Sequence, residues 1–343
     1  AMEAGIVVSV AAGNDGPDND GLSGMGSGSL AITVGATDDL NSVDRSDDTV
    51  AGYSSRGPRR DNGDGNPLNE LKPEISAPGS NIIQAEGCVT TGLCNNLISD
   101  ASQNGYTGRG SGTSYATPSV SGIIALMLEA NPDLSPAEVK EILKFTAERR
   151  GEVTQPDVDP FWNRDFGWGM ADAYEAVKLS QYINQSGLNG ALDVYTQVHI
   201  SNSTTNQTTG LHELTGETWG QMGSVSSVEY RINDGSWNSA SFQMEDNVTA
   251  LQRISWTIAL DITKIGKGNQ TIEIRALNSE GNQSLPILVQ VEGTDSSSSS
   301  SMSWTVGQYV ASVSSLLVVC LIGLMFIART EVPHSLALTY SDD

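Results

Sequence analysis

The chain of 343 residues carries 41 Asp and Glu against 18 Lys and Arg, a formal net charge of −23 at pH 7. So acidic a surface repels phosphate backbones and anionic lipid, which argues against nucleic acid as a partner. With 38% hydrophobic and 17% charged residues and 36 Gly, this is no disordered polyanion but a Gly-rich globular chain long enough for two cores.

The sequence opens on Ala1-Met2-Glu3-Ala4-Gly5 without a leader and runs straight into a strand, so it is expected to be the later part of a longer protein. Ile6 to Val10 and Leu30 to Val34 are short β-branched runs, as in strands covered on both faces. Ser135-Pro136-Ala137-Glu138 opens a helix with an N-cap Ser, Pro in the first turn and Glu three after the cap. Behind it Val139, Ile142, Leu143 and Thr146 mark one face. Strands alternating with helices over residues 1–186 predict an α/β domain with a parallel sheet. From 187 to 293 the period changes to two, in Val194 to Ile200, Val228 to Ile232, Trp256 to Leu260 and Thr271 to Ala276, with the turn signal Asn233-Asp234-Gly235 between. This predicts an all-β sandwich. A Ser-rich linker follows over 294–304, then an uncharged apolar run over 305–328 and a tail over 329–343. At ~1.5 Å per residue that run is long enough to cross a ~30 Å hydrocarbon core as a transmembrane helix. No Lys or Arg lies between Arg275 and Arg329, so the positive-inside rule places the tail in the cytoplasm and the rest outside. Three Cys are too few for a disulfide scaffold. Cys88 and Cys94 are spaced to close a short loop, and Cys320 lies in the apolar run.

The chemistry lies in the first part. Gly112-Thr113-Ser114-Tyr115-Ala116-Thr117-Pro118 precedes the helical run Val120 to Leu128. Ser114 therefore sits at a helix N-terminus, where free N–H groups and the dipole favour developing negative charge. Alone, a Gly-Thr-Ser is an ordinary cap. Ala11-Ala12-Gly13-Asn14-Asp15-Gly16 ends the first strand, which puts Asn14 at the carboxyl edge of the sheet, where ligand sites of α/β folds form. An Asn there is otherwise a turn residue.

Together these segments resemble the subtilisin-like serine proteases. Ala11 to Asn14 is similar to the family's oxyanion-hole strand, and Gly112 to Pro118 to its nucleophile motif. Tyr53-Ser54-Ser55-Arg56-Gly57-Pro58 and Lys72-Pro73-Glu74-Ile75-Ser76-Ala77-Pro78-Gly79 are similar to the landmarks between them. Gly167-Trp168-Gly169-Met170-Ala171-Asp172-Ala173 resembles the segment opening the last helix. The resemblance covers only the first half of the chain. It implies a subtilisin-like fold, partial here, and acyl transfer on a protein or peptide substrate. Ser114 would be the nucleophile, and the Asn14 amide and the Ser114 N–H the oxyanion donors. Val10, Ala11, Ala12 and Gly13 would form a wall of the primary specificity pocket and an edge for substrate pairing.

The family also needs an Asp and a His that precede the oxyanion strand. The three His are His199, His212 and His334; the first two fall in the sandwich and the third beyond the apolar run, and none is expected to be catalytic. The chain is therefore expected to be a fragment, inactive by itself. No cofactor is required and no metal ligand is assigned. Calcium is a candidate only because subtilases often bind it and Asp61-Asn62-Gly63-Asp64-Gly65-Asn66 makes an oxygen-rich loop, as does Asp15 with Asp18 and Asp20. The sandwich resembles immunoglobulin-like or fibronectin-type modules, and six Asn-X-Ser/Thr acceptors occur between Asn184 and Asn282, at Asn184, Asn202, Asn206, Asn247, Asn269 and Asn282. It is expected to serve as a spacer. The expected whole is a single-pass membrane-anchored serine endopeptidase with its catalytic part outside the cell. The alternative is a membrane-tethered binding or adhesion protein whose protease-like domain is inactive.

Overall fold

A computed structural model describes residues 1–18, 22, 24–82, 110–206, 208–220, 225–242 and 252–294. Residues Ala1–Gly293 form one compact unit. The expected linker beyond Thr294, the apolar run 305–328, the tail 329–343, His334 and all three Cys lie outside the described residues. Among the described residues no helix is long and apolar enough to cross a membrane.

The first part is built on a small, mostly parallel sheet. Strand β1 (Ser9–Ala11) pairs in parallel with β2 (Ile32–Asp38), and β2 with β4 (Ile75–Pro78); the short β3 (Thr49–Val50) runs antiparallel at the end of β2. Both leading strands begin later than their apolar runs suggest. Ile6 and Leu30 stand 59% and 52% exposed, because the buried length of β2 is set by the strands on either side and by the helix above it. That helix, α1 (Thr113–Ala130), lies across β1, β2 and β4. It buries Ala116, Val120, Ile124 and Met127 on one face, the four-and-three spacing of a helix stripe. Pro118 falls inside it, so the Ser114 carbonyl has no helical donor.

Helix α2 (Pro136–Thr146) starts where its capping residues place it. Ser135 Oγ accepts from the Glu138 N–H at 3.2 Å, and Glu138 accepts from the Ser135 N–H at 2.7 Å. Helix α3 (Ala173–Gln185) is capped by Asp172, which accepts from the Glu175 N–H at 3.0 Å.

The second part holds two antiparallel four-stranded sheets. One has the order β5 (Thr196–Asn206), β6 (Leu211–Gly220), β10 (Ile254–Asp261), β9 (Ser241–Phe242). The other runs β12 (Ile287–Gly293), β11 (Gly268–Asn278), β7 (Val225–Ile232), β8 (Asn238–Ser239). They share one core, with Val198, Leu214, Trp256 and Ile258 from the first sheet and Val228, Ile272, Ile274 and Val291 from the second. Strand β6 escapes a reading of periodicity. Its inward positions are His212, Leu214, Gly216 and Thr218, of which one alone is a large hydrophobe. Gly216 is required there, since a Cβ would collide with the His199 carbonyl and the Trp256 indole.

The sandwich packs on the α/β part. The His199 ring stacks on Phe161 with centroids 3.7 Å apart, and Trp219 lies parallel at 6.0 Å. Phe145 of α2 closes the group at 6.1 Å from His199. Arg253 donates to the Pro156 carbonyl and Arg231 to the Tyr182 hydroxyl of α3 at 3.3 Å. Burial in this stack, with Arg149 nearby, lowers the His199 pKa from 6.5 to about 3. The unfolded chain then takes up a proton near 6.5 that the folded chain refuses until about 3, so the stabilisation is complete above 6.5 and is lost as pH falls. Urea midpoints at neutral and mildly acidic pH should therefore drop further for the native chain than for His199→Phe, which keeps an aromatic ring and removes the titration. Equal drops would show that His199 is not held neutral.

Candidate active site

Asn14 and Ser114 meet at the carboxyl end of the parallel sheet. Strand β1 delivers Ala12, fully buried and donating its N–H to the Val34 carbonyl at 3.0 Å, and then Gly13 at φ 112°. That left-handed conformation strains any side chain, and it turns the exposed Asn14 off the sheet toward the start of α1. Ser114 is exposed, one residue inside the helix. Gly112 before it has φ 154° and abuts the Asn14 amide: a Cβ there would stand 3.4 Å from Asn14 Nδ2.

Thr113 joins the two, a role that its place in the motif does not reveal. Its N–H donates to Asn14 Oδ1 at 2.8 Å, and its hydroxyl lies 3.0 Å from the same oxygen and 3.3 Å from the Gly13 carbonyl. Two donors on Oδ1 fix the amide flip, leaving the Nδ2 hydrogens to face outward. With the Thr113 N–H used in this way, the Ser114 N–H is the helix-end donor left for a ligand.

An open groove of about 560 Å³ runs past these groups. It is lined by Ser9, Val10 and Ala11 of β1, by Gly24, Met25 and Gly26 of a single 3₁₀ turn, and by Ser114, Thr117, Pro118 and Ser121 of α1. Of the wall residues expected from sequence, Val10 and Ala11 line it. Gly13 instead braces Thr113, and Ala12 points into the core. No charged side chain lines the groove among the described residues.

The intervening landmarks are braces. The Tyr53 hydroxyl donates to the Gly79 carbonyl at 2.8 Å and accepts from the Gly112 N–H at 3.1 Å, tying the end of β4 to the turn before Ser114. The Ser55 N–H donates to the Gly13 carbonyl at 2.9 Å, and Ser55 Oγ accepts from the Asp15 N–H at 3.1 Å. Lys72 and Glu74 are buried together. Glu74 pairs with Lys72 and, at 2.6 Å, with Lys140, and accepts the Thr33 N–H at 2.8 Å. Burial opposes the charge on Glu74, but Lys140 and Lys72 outweigh it and hold its pKa low; burial pushes Lys72 down to about 7 against the pull of Glu74.

Neither described His approaches Ser114. His199 is in the aromatic stack, and His212 bonds Ser203 and Thr205 at 3.1 and 2.6 Å. Among the described residues no three His, Cys, Asp or Glu converge as metal ligands do. In the acidic loop Asp61 caps the Gly63 N–H at 2.7 Å, and Asp64 caps Asn66 at 2.8 Å while bonding Asn69.

Residues 1–169 match the subtilase family. The chain is 42% identical over 181 residues to Serine protease AprX of Bacillus subtilis (strain 168), covering 52% of this chain and 36% of that protein. It is 36% identical over 145 residues to Subtilisin-like protease SBT3.7 of Arabidopsis thaliana, 38% of this chain and 15% of that one. Against Bacillopeptidase F of Bacillus subtilis (strain 168) identity is 35% over 128 residues, 37% of this chain and 7% of that protein. The chain thus spans about a third of the first of these relatives and less of the others.

Proposed function

We propose, with residues 1–169 a subtilase-family segment as the premise, that this chain carries the nucleophile and oxyanion side of a serine endopeptidase site. The observation that carries the reading is the Asn14–Thr113–Ser114 cluster, drawn together by direct bonds at 2.8 and 3.0 Å across about 100 positions of sequence. Ser114 attacks the scissile carbonyl of a protein or peptide substrate, forming an acyl-enzyme that water then hydrolyses. The Asn14 Nδ2 and the Ser114 N–H donate to the oxyanion, and the end of α1 adds the positive pole of its dipole. The side of β1 away from β2 offers main-chain groups to an extended substrate, with Val10 and Ala11 against its side chains. The His base and the Asp that orients it would be supplied from outside this sequence, and the chain alone would be inactive. The sandwich is read as an immunoglobulin-like module. The apolar run 305–328 is read as a single membrane span holding the catalytic part outside the cell.

A fluorophosphonate probe tests this. A longer form that supplies the base is expected to label at Ser114, and the chain alone is expected not to label. External protease on intact cells is expected to remove the sandwich and spare the tail. Failure of the longer form to label would favour a binding protein with an inactive protease-like domain. Labelling of the chain alone would show a base within it.

A further inference from the structure

The Asn-X-Ser/Thr acceptors are sorted along the chain. None of the 12 Asn in residues 1–183 heads such a triplet, whereas six of the ten in residues 184–293 do. Asn184 lies in α3, and the other five acceptors lie in the sandwich.

Two acceptors share one strand edge. Among the described residues β5 is the outermost strand of its sheet, and residues 201–206 are exposed throughout. Ser203 and Thr205 face His212, bonded to its two ring nitrogens. By the period of two, Asn202, Thr204 and Asn206 then lie on the other, outer face, opposite Thr215, Glu213 and Leu211 of β6. Both the acceptor amides and the hydroxyls two residues on, Thr204 and Thr208, are exposed. Asn206 uses its oxygen to cap the Thr208 and Thr209 N–H groups at 2.9 and 3.2 Å, which leaves its nitrogen open. Asn184 is the contrast: its nitrogen donates to the Ala130 carbonyl at 3.0 Å. Residues 201–206 also carry no charge and no Pro, the usual guards of an unpaired edge.

We propose that Asn202 and Asn206 are sites of Asn-linked glycosylation and that their glycans cover the free edge of β5. The donor class is an oligosaccharide on a polyprenyl phosphate or diphosphate. The Asn nitrogen bonds to the anomeric carbon, the carbon–oxygen bond to phosphate breaks with its electron pair, and the amide proton passes to a base of the transferase. The inference rests on the outward-facing reading above, since the transfer serves exported protein.

The test is peptide mass spectrometry of the full-length protein from the cells that make it, with external-protease accessibility measured on the same cells. A sugar mass on the Asn202 and Asn206 peptides is expected, with Asn184 bare. The double variant Asn202→Gln, Asn206→Gln should lose that mass and self-associate at lower concentration. Bare Asn202 and Asn206 in protein that external protease reaches would overturn the glycan assignment alone. Bare sites in protein that it cannot reach would overturn the assignment together with the outward-facing reading. Asn184 modified as fully as Asn202 would overturn the selection argued from its hydrogen bond.

Discussion

Ser114→Ala, made in a form that supplies the general base, is expected to abolish acyl-enzyme formation, while Asn14→Ala should lower kcat by ~10²–10³ and leave KM nearly unchanged. The range is that measured for an oxyanion-hole Asn in subtilisin. The direction follows from the geometry. Asn14 Oδ1 is held by Thr113 at 2.8 and 3.0 Å, so its nitrogen is presented before substrate arrives and donates fully only once negative charge develops. Thr113→Val should fall between native and Asn14→Ala, because the backbone N–H keeps one of the two bonds. Burst and steady-state kinetics on the three variants separate the effects. An Asn14→Ala enzyme with raised KM and native kcat would assign the amide to ground-state binding instead.

The second large effect is on the fold beneath the site. Glu74→Ala should cost about 3–5 kcal/mol, the range for breaking a buried ion pair from one side. Lys72 has a side chain 1% exposed and would keep only the Ala31 carbonyl at 2.7 Å and the Ser29 carbonyl at 3.4 Å. The Thr33 N–H of β2 would lose its acceptor as well. Lys72→Met combined with Glu74→Leu should recover much of the loss, because the pair is then replaced by packing rather than broken. Urea unfolding of the full chain gives both values. A Glu74→Ala loss below about 1 kcal/mol would show that water reaches the cluster. Since Glu74 leads into β4, and the end of β4 is tied to Gly112 through Tyr53, the loss should spread to the turn holding Ser114.

Much of this was legible in the residues alone, wherever the cause is local. The Ser135 and Glu138 capping pair starts a helix through bonds spanning three residues, and no distant partner is needed. The buried run of β2 and the Ser114 position follow from a continuous apolar stretch and a Gly-led helix start. What the tertiary structure decided are contacts between positions far apart in sequence. Thr113 becomes the clamp on Asn14 because β1 and α1 end side by side. His199 becomes part of a packed aromatic group because Phe161, 38 positions earlier by number, meets it across the joint between the two cores. Gly216 marks an inward-facing strand position because Trp256 needs its space. A residue type states what a side chain is able to do; its neighbours in space determine which of those things it does, since only they set its burial, its partners and its charge.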